Sequence, residues 1–215
     1  MPSMARNCLV INLDRCIGCY ACELACKMEN GVALGHHWNK LYQVEPYGEW
    51  PNVKTWWISK QCQQCEDAPC INVCPTGASY RNDDGVVSID ESACIGCQLC
   101  MDACPYDVRD YNDELSVVQK CNLCEKLTKD GEKPACVKNC PGKARFYGDL
   151  DDPESDASKA LAAADPDSIH HLHDDGNGPL TAYILSPRFG EWRDEDLVPT
   201  VEKAQKYVTT AGSTD

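Results

Sequence analysis

This 215-residue sequence is poor in the large apolar side chains that usually fill a protein core, with only 2 Phe and 4 Met. A core made from such side chains alone would be thin, so something besides hydrophobic burial is expected to organise the fold. No run approaches 18 consecutive apolar residues, which predicts no membrane-spanning helix. Residues 1–16 show neither an apolar signal region nor a twin arginine, so no export signal of its own is predicted.

Basic residues are also scarce. The chain has 20 Lys and Arg against 34 Asp and Glu, for a formal net charge of -14. A charge of this sign makes nucleic acid an improbable partner, because phosphate contacts need an excess of cations. Many of the acidic residues lie beyond residue 149, where we expect solvated surface.

Cysteine is what the chain has in excess, with 17 in all. The odd number and the missing export signal argue against a disulfide framework. Sixteen of them form four blocks of four, and Cys8, left over, is predicted to be a small buried residue or an idle thiol. Block I is Cys16, Cys19, Cys22 and Cys26; block II is Cys62, Cys65, Cys70 and Cys74; block III is Cys94, Cys97, Cys100 and Cys104; block IV is Cys121, Cys124, Cys136 and Cys140.

The spacing within the blocks favours iron–sulfur clusters over zinc. Structural zinc sites draw two close pairs of ligands from separate segments. Blocks I and III instead read C-x2-C-x2-C-x3-C, the bacterial ferredoxin spacing in which the fourth Cys ligates the other cluster of a pair. Gly18 and Gly96 stand where such a loop must turn its N–H groups toward sulfur.

The connection lengths predict which blocks exchange their fourth cysteine. The 20-position step from Cys74 to Cys94 suits one turn and a short strand, which pairs block II with block III. Blocks I and IV then form a second pair. Lys27 replaces the proline that follows the last Cys of the other blocks, which predicts a helix running on to Gly31. The predicted ligands are Cys16, Cys19, Cys22 and Cys140 for cluster 1; Cys121, Cys124, Cys136 and Cys26 for cluster 2; Cys62, Cys65, Cys70 and Cys104 for cluster 3; and Cys94, Cys97, Cys100 and Cys74 for cluster 4.

The four blocks lie in the motifs "CIGCYACELAC", "CQQCEDAPCINVCPTGA", "CIGCQLCMDACPYDVR" and "CNLCEKLTKDGEKPACVKNCPGKA". In their order and spacing, these motifs resemble the four-cluster electron-transfer subunits of molybdopterin oxidoreductases, of the dimethyl sulfoxide and polysulfide reductase type. The resemblance covers about residues 5–150. It implies four [4Fe–4S] clusters here, a partner subunit that carries the molybdenum or tungsten pterin, and often a membrane subunit that reacts with quinone. Members of the family are often exported folded beside a partner with a twin-arginine signal, so the resemblance is compatible with either side of a membrane.

The expected fold is α+β, with two interwoven ferredoxin-like modules. The outer module would comprise residues 5–50 and 110–150, and the inner module residues 51–109. Residues 151–215 would form a C-terminal extension that binds a partner, with a capped helix in "DPESDASKALAAAD" and a strand in "LTAYILS". In the aromatic insertion of residues 32–60, Trp56 and Trp57 are predicted to cover the clusters, and Trp38 and Trp50 to face a partner.

The predicted function is electron relay, since no nucleophile–base pair or other catalytic motif stands out. The five histidines, three of them in "HHLHDDG", are interpreted as loop residues and not as a metal site. Block IV is surrounded by six cations, which lead to the hypothesis that its cluster is reduced more easily than that of block II: Lys120, Lys126, Lys133, Lys138, Lys143 and Arg145. Two alternatives stay open: the iron–sulfur subunit of a formate dehydrogenase or hydrogenase, and a free polyferredoxin that moves between soluble partners.

Overall fold

Short strands and short helices alternate along the chain in an α+β fold, seen in a computed structural model that describes residues 4–193. The strands are β1 Asn7–Asn12, β2 Asn39–Gln43, β3 Trp57–Gln61, β4 Ser79–Arg81, β5 Val87–Ile89, β6 Arg109–Asn112, β7 Val117–Lys120, β8 Arg145–Asp149, β9 Ile169–His170 and β10 Ala182–Ile184. The helices are α1 Ala21–Asn30, α2 Pro69–Asn72, α3 Leu99–Asp102, α4 Glu125–Lys129, α5 Ala135–Lys138 and α6 Asp156–Ala162.

Three antiparallel hairpins carry the chain from each cysteine block to the next. They are β2–β3 between blocks I and II, β4–β5 between blocks II and III, and β6–β7 between blocks III and IV. The helices within the blocks pack in pairs, α1 against α5 and α2 against α3. Blocks I and IV are therefore neighbours in space, and so are blocks II and III.

A four-stranded sheet with the order β8-β1-β10-β9 supports blocks I and IV. Its strand β1 pairs antiparallel with β8 and parallel with β10, and it is buried on both faces. Leu9 and Ile11 pack into the core that contains the cysteines, whereas Val10 packs against α6. The alternation of side chains along a strand thus joins two separate apolar layers.

The C-terminal region contributes to this sheet as far as the structure describes it. Helix α6 lies in the segment where a capped helix is predicted, and its cap is Ser155, whose hydroxyl accepts a hydrogen bond from the Ser158 N–H at 3.1 Å. Strand β10 lies beside β1, and its Tyr183 is fully buried. Residues 156–184 therefore pack into the protein. Residues 194–215 of the predicted C-terminal extension lie outside the described residues.

Helix α1 is long because nothing in its sequence ends it before a glycine. It continues past Lys27 to Asn30, and Gly31 takes the left-handed conformation (φ 60°) that ends it. The Lys27 ammonium donates to the carbonyls of Ala33 and His36 beyond the helix end. This confirms the helix predicted from the absence of proline. In the described part of the chain, no helix is long and apolar enough to cross a membrane.

Candidate iron–sulfur sites

The sixteen block cysteines surround four cavities, and each cavity is lined by four thiols from two blocks. Cavity 1 is lined by Cys16, Cys19, Cys22 and Cys140; cavity 2 by Cys26, Cys121, Cys124 and Cys136; cavity 3 by Cys62, Cys65, Cys70 and Cys104; and cavity 4 by Cys74, Cys94, Cys97 and Cys100. Within residues 4–193, no three Cys, His, Asp or Glu side chains are grouped so as to hold a single metal ion. The thiols enclose space instead of converging on one point.

Glycine and left-handed backbone shape the loops of blocks I and III in the same way. Gly18 has φ +66°, and a Cβ there would lie 2.4 Å from the indole of Trp57. Gly96 has φ +67°, and a Cβ there would lie 2.5 Å from the Ser116 carbonyl oxygen. Both positions need glycine for conformation and for space. Two residues beyond each glycine, a second left-handed residue begins the helix that carries the third thiol.

The fourth cysteine of block I leaves its own block on helix α1. Burial raises the pKa of the Cys26 thiol, and the neighbouring thiolates of Cys121, Cys136 and Cys124 raise it further. These neighbours all belong to block IV. The exchange is mutual, since Cys140 lines cavity 1 together with the first three thiols of block I.

The four cavities follow one another in a row, as the electrostatic neighbours of the thiols show. Burial raises the pKa of Cys121 to about 12, with further contributions from Cys136 in cavity 2 and Cys62 in cavity 3. In the same way, burial and then other thiols, among them Cys22 of cavity 1, raise the pKa of Cys136. Burial and the thiols of Cys70, in cavity 3, and Cys74 raise the pKa of Cys100 in cavity 4. The order is therefore 1, 2, 3, 4.

The two ends of this row lie near the surface. Cys19 of cavity 1 and Cys97 of cavity 4 are exposed, whereas all four thiols of cavity 2 are buried. Exposed apolar residues accompany each exposed thiol: Ile17 (63% exposed) precedes Gly18 in the loop of cavity 1, and Ile95 (65%) has the same place at cavity 4.

A buried arginine lies between the two cavities of each pair. Arg145, the first residue of β8, lines cavities 1 and 2, and Arg109, the first residue of β6, lines cavities 3 and 4. Each stands five residues after the last Cys of its block. Arg145 donates to the Ser59 hydroxyl at 2.6 Å, and Arg109 donates to the Ser79 hydroxyl at 2.9 Å.

These two guanidinium groups have thiols, and not carboxylates, as their charged neighbours. Within the described residues, neither forms an ion pair with Asp or Glu. Burial acts to lower the pKa of Arg145, but the charges of Cys136 and Cys22 outweigh burial and raise it. Two buried cations without carboxylate partners require an anion beside them, which a thiolate-ligated cluster supplies.

Backbone and side-chain N–H groups donate hydrogen bonds to the cysteine sulfurs. The N–H groups of Ser79 and Ala144 donate to Cys74 Sγ at 3.4 Å and Cys140 Sγ at 3.3 Å. Burial acts to raise the pKa of Cys74, but the hydrogen bonds from Ser79, Thr76 and Ala78 outweigh burial and lower that pKa. At cavity 3, the buried Asn177 amide donates to Cys65 Sγ at 3.1 Å.

Several buried donors at the cavities have no acceptor among the protein atoms that the structure describes. They are Trp38 Nε1, Asn39 Nδ2, Gln61 Nε2, Arg145 Nε and Arg109 Nη1. A buried donor without a partner is costly, so an acceptor is expected in the space beside it. The sulfurs of an anionic cluster accept hydrogen bonds and donate none. Four thiols with unpaired donors and a buried cation therefore fit a [4Fe–4S] group, which would supply reversible one-electron redox chemistry.

The tryptophans of the insertion are not all buried or exposed as predicted. Trp38 was expected to face a partner, but it is 8% exposed and lines cavity 2, so that prediction was wrong. Trp50 is 89% exposed, as a partner-facing residue should be. Trp56 is buried and stacks on Trp192, and Trp57 packs against Gly18 in the loop of cavity 1. The strand alternation of β3 and the buried start of β2 decide these positions.

Most of the cations around block IV are surface residues. Lys126, Lys133, Lys138 and Lys143 are exposed, and two of them pair with Asp156 and Glu132. Solvent screens such charges strongly. Lys120 and Arg145 alone of the six cations are buried, and the Lys120 ammonium donates to the Cys121 carbonyl at 2.8 Å.

Cys8 and the histidines have structural surroundings. Cys8 is fully buried in β1, and burial raises its pKa to about 12. His170 stacks on Trp192, and His173 contacts Asp175 at 3.0 Å. The histidine-containing loop nevertheless brings Asn177 to Cys65, a role that the sequence did not predict because an Asn 112 positions away has no local signal.

Comparison with known proteins agrees with this geometry. Residues 53–150 match the 4Fe-4S dicluster domain family, and residues 9–29 match the 4Fe-4S binding domain family. The chain is 41% identical to the putative dimethyl sulfoxide reductase iron-sulfur subunit of Halobacterium salinarum, over 88% of this chain and 83% of that protein. It is 41% identical to a sulfite dehydrogenase subunit of Allochromatium vinosum (90% and 94%) and 34% identical to the arsenate respiratory reductase iron-sulfur subunit of a Shewanella species (83% and 95%).

Proposed function

Because this chain belongs to the family of iron–sulfur electron-transfer subunits of molybdopterin oxidoreductases, we propose that it relays single electrons through four [4Fe–4S] clusters between a catalytic subunit and a redox partner. It is a non-catalytic subunit of such a complex. The molybdenum or tungsten pterin is assigned to the partner, and the four clusters are assigned to this chain. The observation that carries the proposal is the row of four thiol-lined cavities with exposed thiols at its ends.

The ligands of each cluster are the four thiols of the corresponding cavity. Clusters 1 and 2 would be held by blocks I and IV, with Cys26 and Cys140 exchanged, and clusters 3 and 4 by blocks II and III, with Cys74 and Cys104 exchanged. The contacts of α1 with α5 and of α2 with α3 support the division into an outer module (residues 5–50 and 110–150) and an inner module (51–109).

The residues around each cavity have separate tasks in this relay. The thiols would hold the cluster, and the N–H donors and the two arginines would balance its negative charge. When bound, the clusters would supply one-electron transfer without a change of ligands, so the thiols would only have to hold them in place. Arg145 and Arg109, each placed between two cavities, stabilise the added charge on either side.

The two ends of the row are the proposed docking positions. The end at cavity 1 exposes Ile17 and Tyr20, with Leu24 and Met28 further along α1, and the end at cavity 4 exposes Ile95, Leu99 and Val73. Apolar residues around a near-surface cluster suit contact with a protein that must approach the cluster closely. We assign one end to the catalytic subunit and the other to a membrane subunit that reacts with quinone or to a soluble carrier. Any attachment to a membrane would then run through a partner.

Anaerobic purification of the native complex with metal analysis tests the proposal. We expect about 16 iron atoms per copy of this chain, four for each of four clusters, and molybdenum or tungsten in a co-purifying subunit. The matched control is Cys8→Ser, which removes the one cysteine outside the cavities and should leave the iron content unchanged. Iron near 8 atoms per chain would contradict the four clusters. Iron without molybdenum or tungsten would contradict the partner.

A further inference from the structure

Unpaired hydrogen-bond donors are concentrated at cavity 2. Its lining includes four buried nitrogens that have no partner within residues 4–193: Trp38 Nε1, Asn39 Nδ2, Gln61 Nε2 and Arg145 Nε. None of these four residues is more than 8% exposed. In addition, Asn30 Nδ2 lies 3.6 Å from Cys124 Sγ in the same cavity.

The other three cavities have fewer such donors. Cavity 1 shares the unpaired nitrogen of Arg145, and cavity 4 has that of Arg109. Cavity 3 shares Arg109, but its other unpaired atom is Gln63 Oε1, which is an acceptor. The difference is built by the β2–β3 hairpin, whose register places Asn39 directly opposite Gln61.

Hydrogen-bond donors and buried cations both raise the reduction potential of a cluster. Reduction adds a negative charge, and N–H groups directed at the sulfurs stabilise the more negative state more than the less negative one. Burial strengthens this effect, because little water competes for the same charge. The cluster whose cavity has the largest number of buried donors without a protein acceptor is therefore expected to be reduced at the highest potential.

We propose that cluster 2 is the most easily reduced of the four, and that the buried nitrogens of Trp38, Asn39, Gln61 and Arg145 set this order. The inference rests on the proposed function, since it assumes that cavity 2 holds a cluster. The first electron to enter the chain then resides at an interior position, one step from the exposed end at cavity 1. These four are tuning residues, because they line cavity 2 without supplying a thiol.

Trp38→Phe is the sharpest test, since it removes the indole N–H and keeps an aromatic ring. The full chain with its clusters is titrated potentiometrically under EPR. We expect the equilibrium constant for reduction of the highest-potential cluster to fall about fivefold to tenfold, where tenfold equals about 59 mV for one electron. The other three couples should stay within about twofold, and the iron content should not change.

Trp56→Phe is the matched control. Its indole nitrogen is also buried and unpaired within the described residues, but Trp56 lines none of the four cavities, so no couple should move. If Trp38→Phe fails to fold, Gln61→Leu removes the neighbouring donor and should lower the same couple. An unchanged highest couple, or a shift confined to another couple, overturns the inference while the relay stands. A native chain without iron overturns the relay itself.

Discussion

Asn177 offers a direct test of how residues distant in sequence tune the sites. Its amide is 5% exposed and donates to Cys65 Sγ at 3.1 Å and to the Tyr106 hydroxyl at 2.8 Å. Asn177→Leu keeps the volume of the side chain and removes the donor. We expect cluster 3 to become harder to reduce, since its ligand Cys65 loses this hydrogen bond.

The size of the effect follows from the charge on the cluster. A hydrogen bond to a charged group contributes about 1.5–3 kcal/mol. The charge of a thiolate-ligated [4Fe–4S] cluster changes from about -2 to about -3 on reduction, so the bond strengthens by about half if its energy follows the charge. The difference is about 1 kcal/mol. Since a tenfold change is about 1.4 kcal/mol and about 59 mV for one electron, we expect a decrease of about 40 mV.

The assay is the same EPR titration of the cluster-loaded chain, with Tyr106→Phe as its control. That variant removes the second partner of Asn177 but keeps the amide beside Cys65, so its shift should stay below about 15 mV. The couple lowered by Asn177→Leu must differ from the couple lowered by Trp38→Phe, because Trp38 lines cavity 2 whereas Asn177 donates to a thiol of cavity 3. Identical shifts in one couple, or no shift at all, would refute the assignment of Asn177 to cluster 3.

Three further outcomes are expected. Cys26→Ser and Cys124→Ser should alter the same EPR signal, because both thiols line cavity 2; two different altered signals would contradict the exchange of cysteines between blocks. Gly18→Ala should destabilise the chain by about 1–3 kcal/mol, through its positive φ and the clash with Trp57, as measured by thermal unfolding; an unchanged Tm would show that the loop adapts. Ser155→Ala should cost about 1 kcal/mol through the lost cap of α6 and leave all four potentials unchanged.

Local features of the site could be predicted because the signal lies in neighbouring residues. The spacing of three thiols in a block and the glycine between the first two follow from the reach of one short loop. Helix α1 and its end at Gly31 follow from the lack of a proline after Cys26. The capped helix in "DPESDASKALAAAD" is of the same kind, since it depends on its own segment.

The burial of Trp38 and the solvent exposure of the lysines around block IV could not be predicted from neighbouring residues. Both depend on which face of an element meets the rest of the protein. The prediction that Trp38 faces a partner failed because the start of β2 is buried beside cavity 2. The lysines of block IV are close to its thiols in sequence, but their side chains extend into solvent, where charge is screened.

The sequence by itself determined the number of thiols, their grouping into blocks and the redox chemistry that such blocks support. Only the tertiary structure decided which donors and cations face each cavity. Asn177, Arg145 and the Asn39–Gln61 pair reach the cavities from segments far apart in the chain. A metal-binding loop is a local object with a fixed spacing, whereas the charge around it is the sum over all segments that pack there. The identity of the cofactor is therefore encoded locally, and its potential is set by the whole fold.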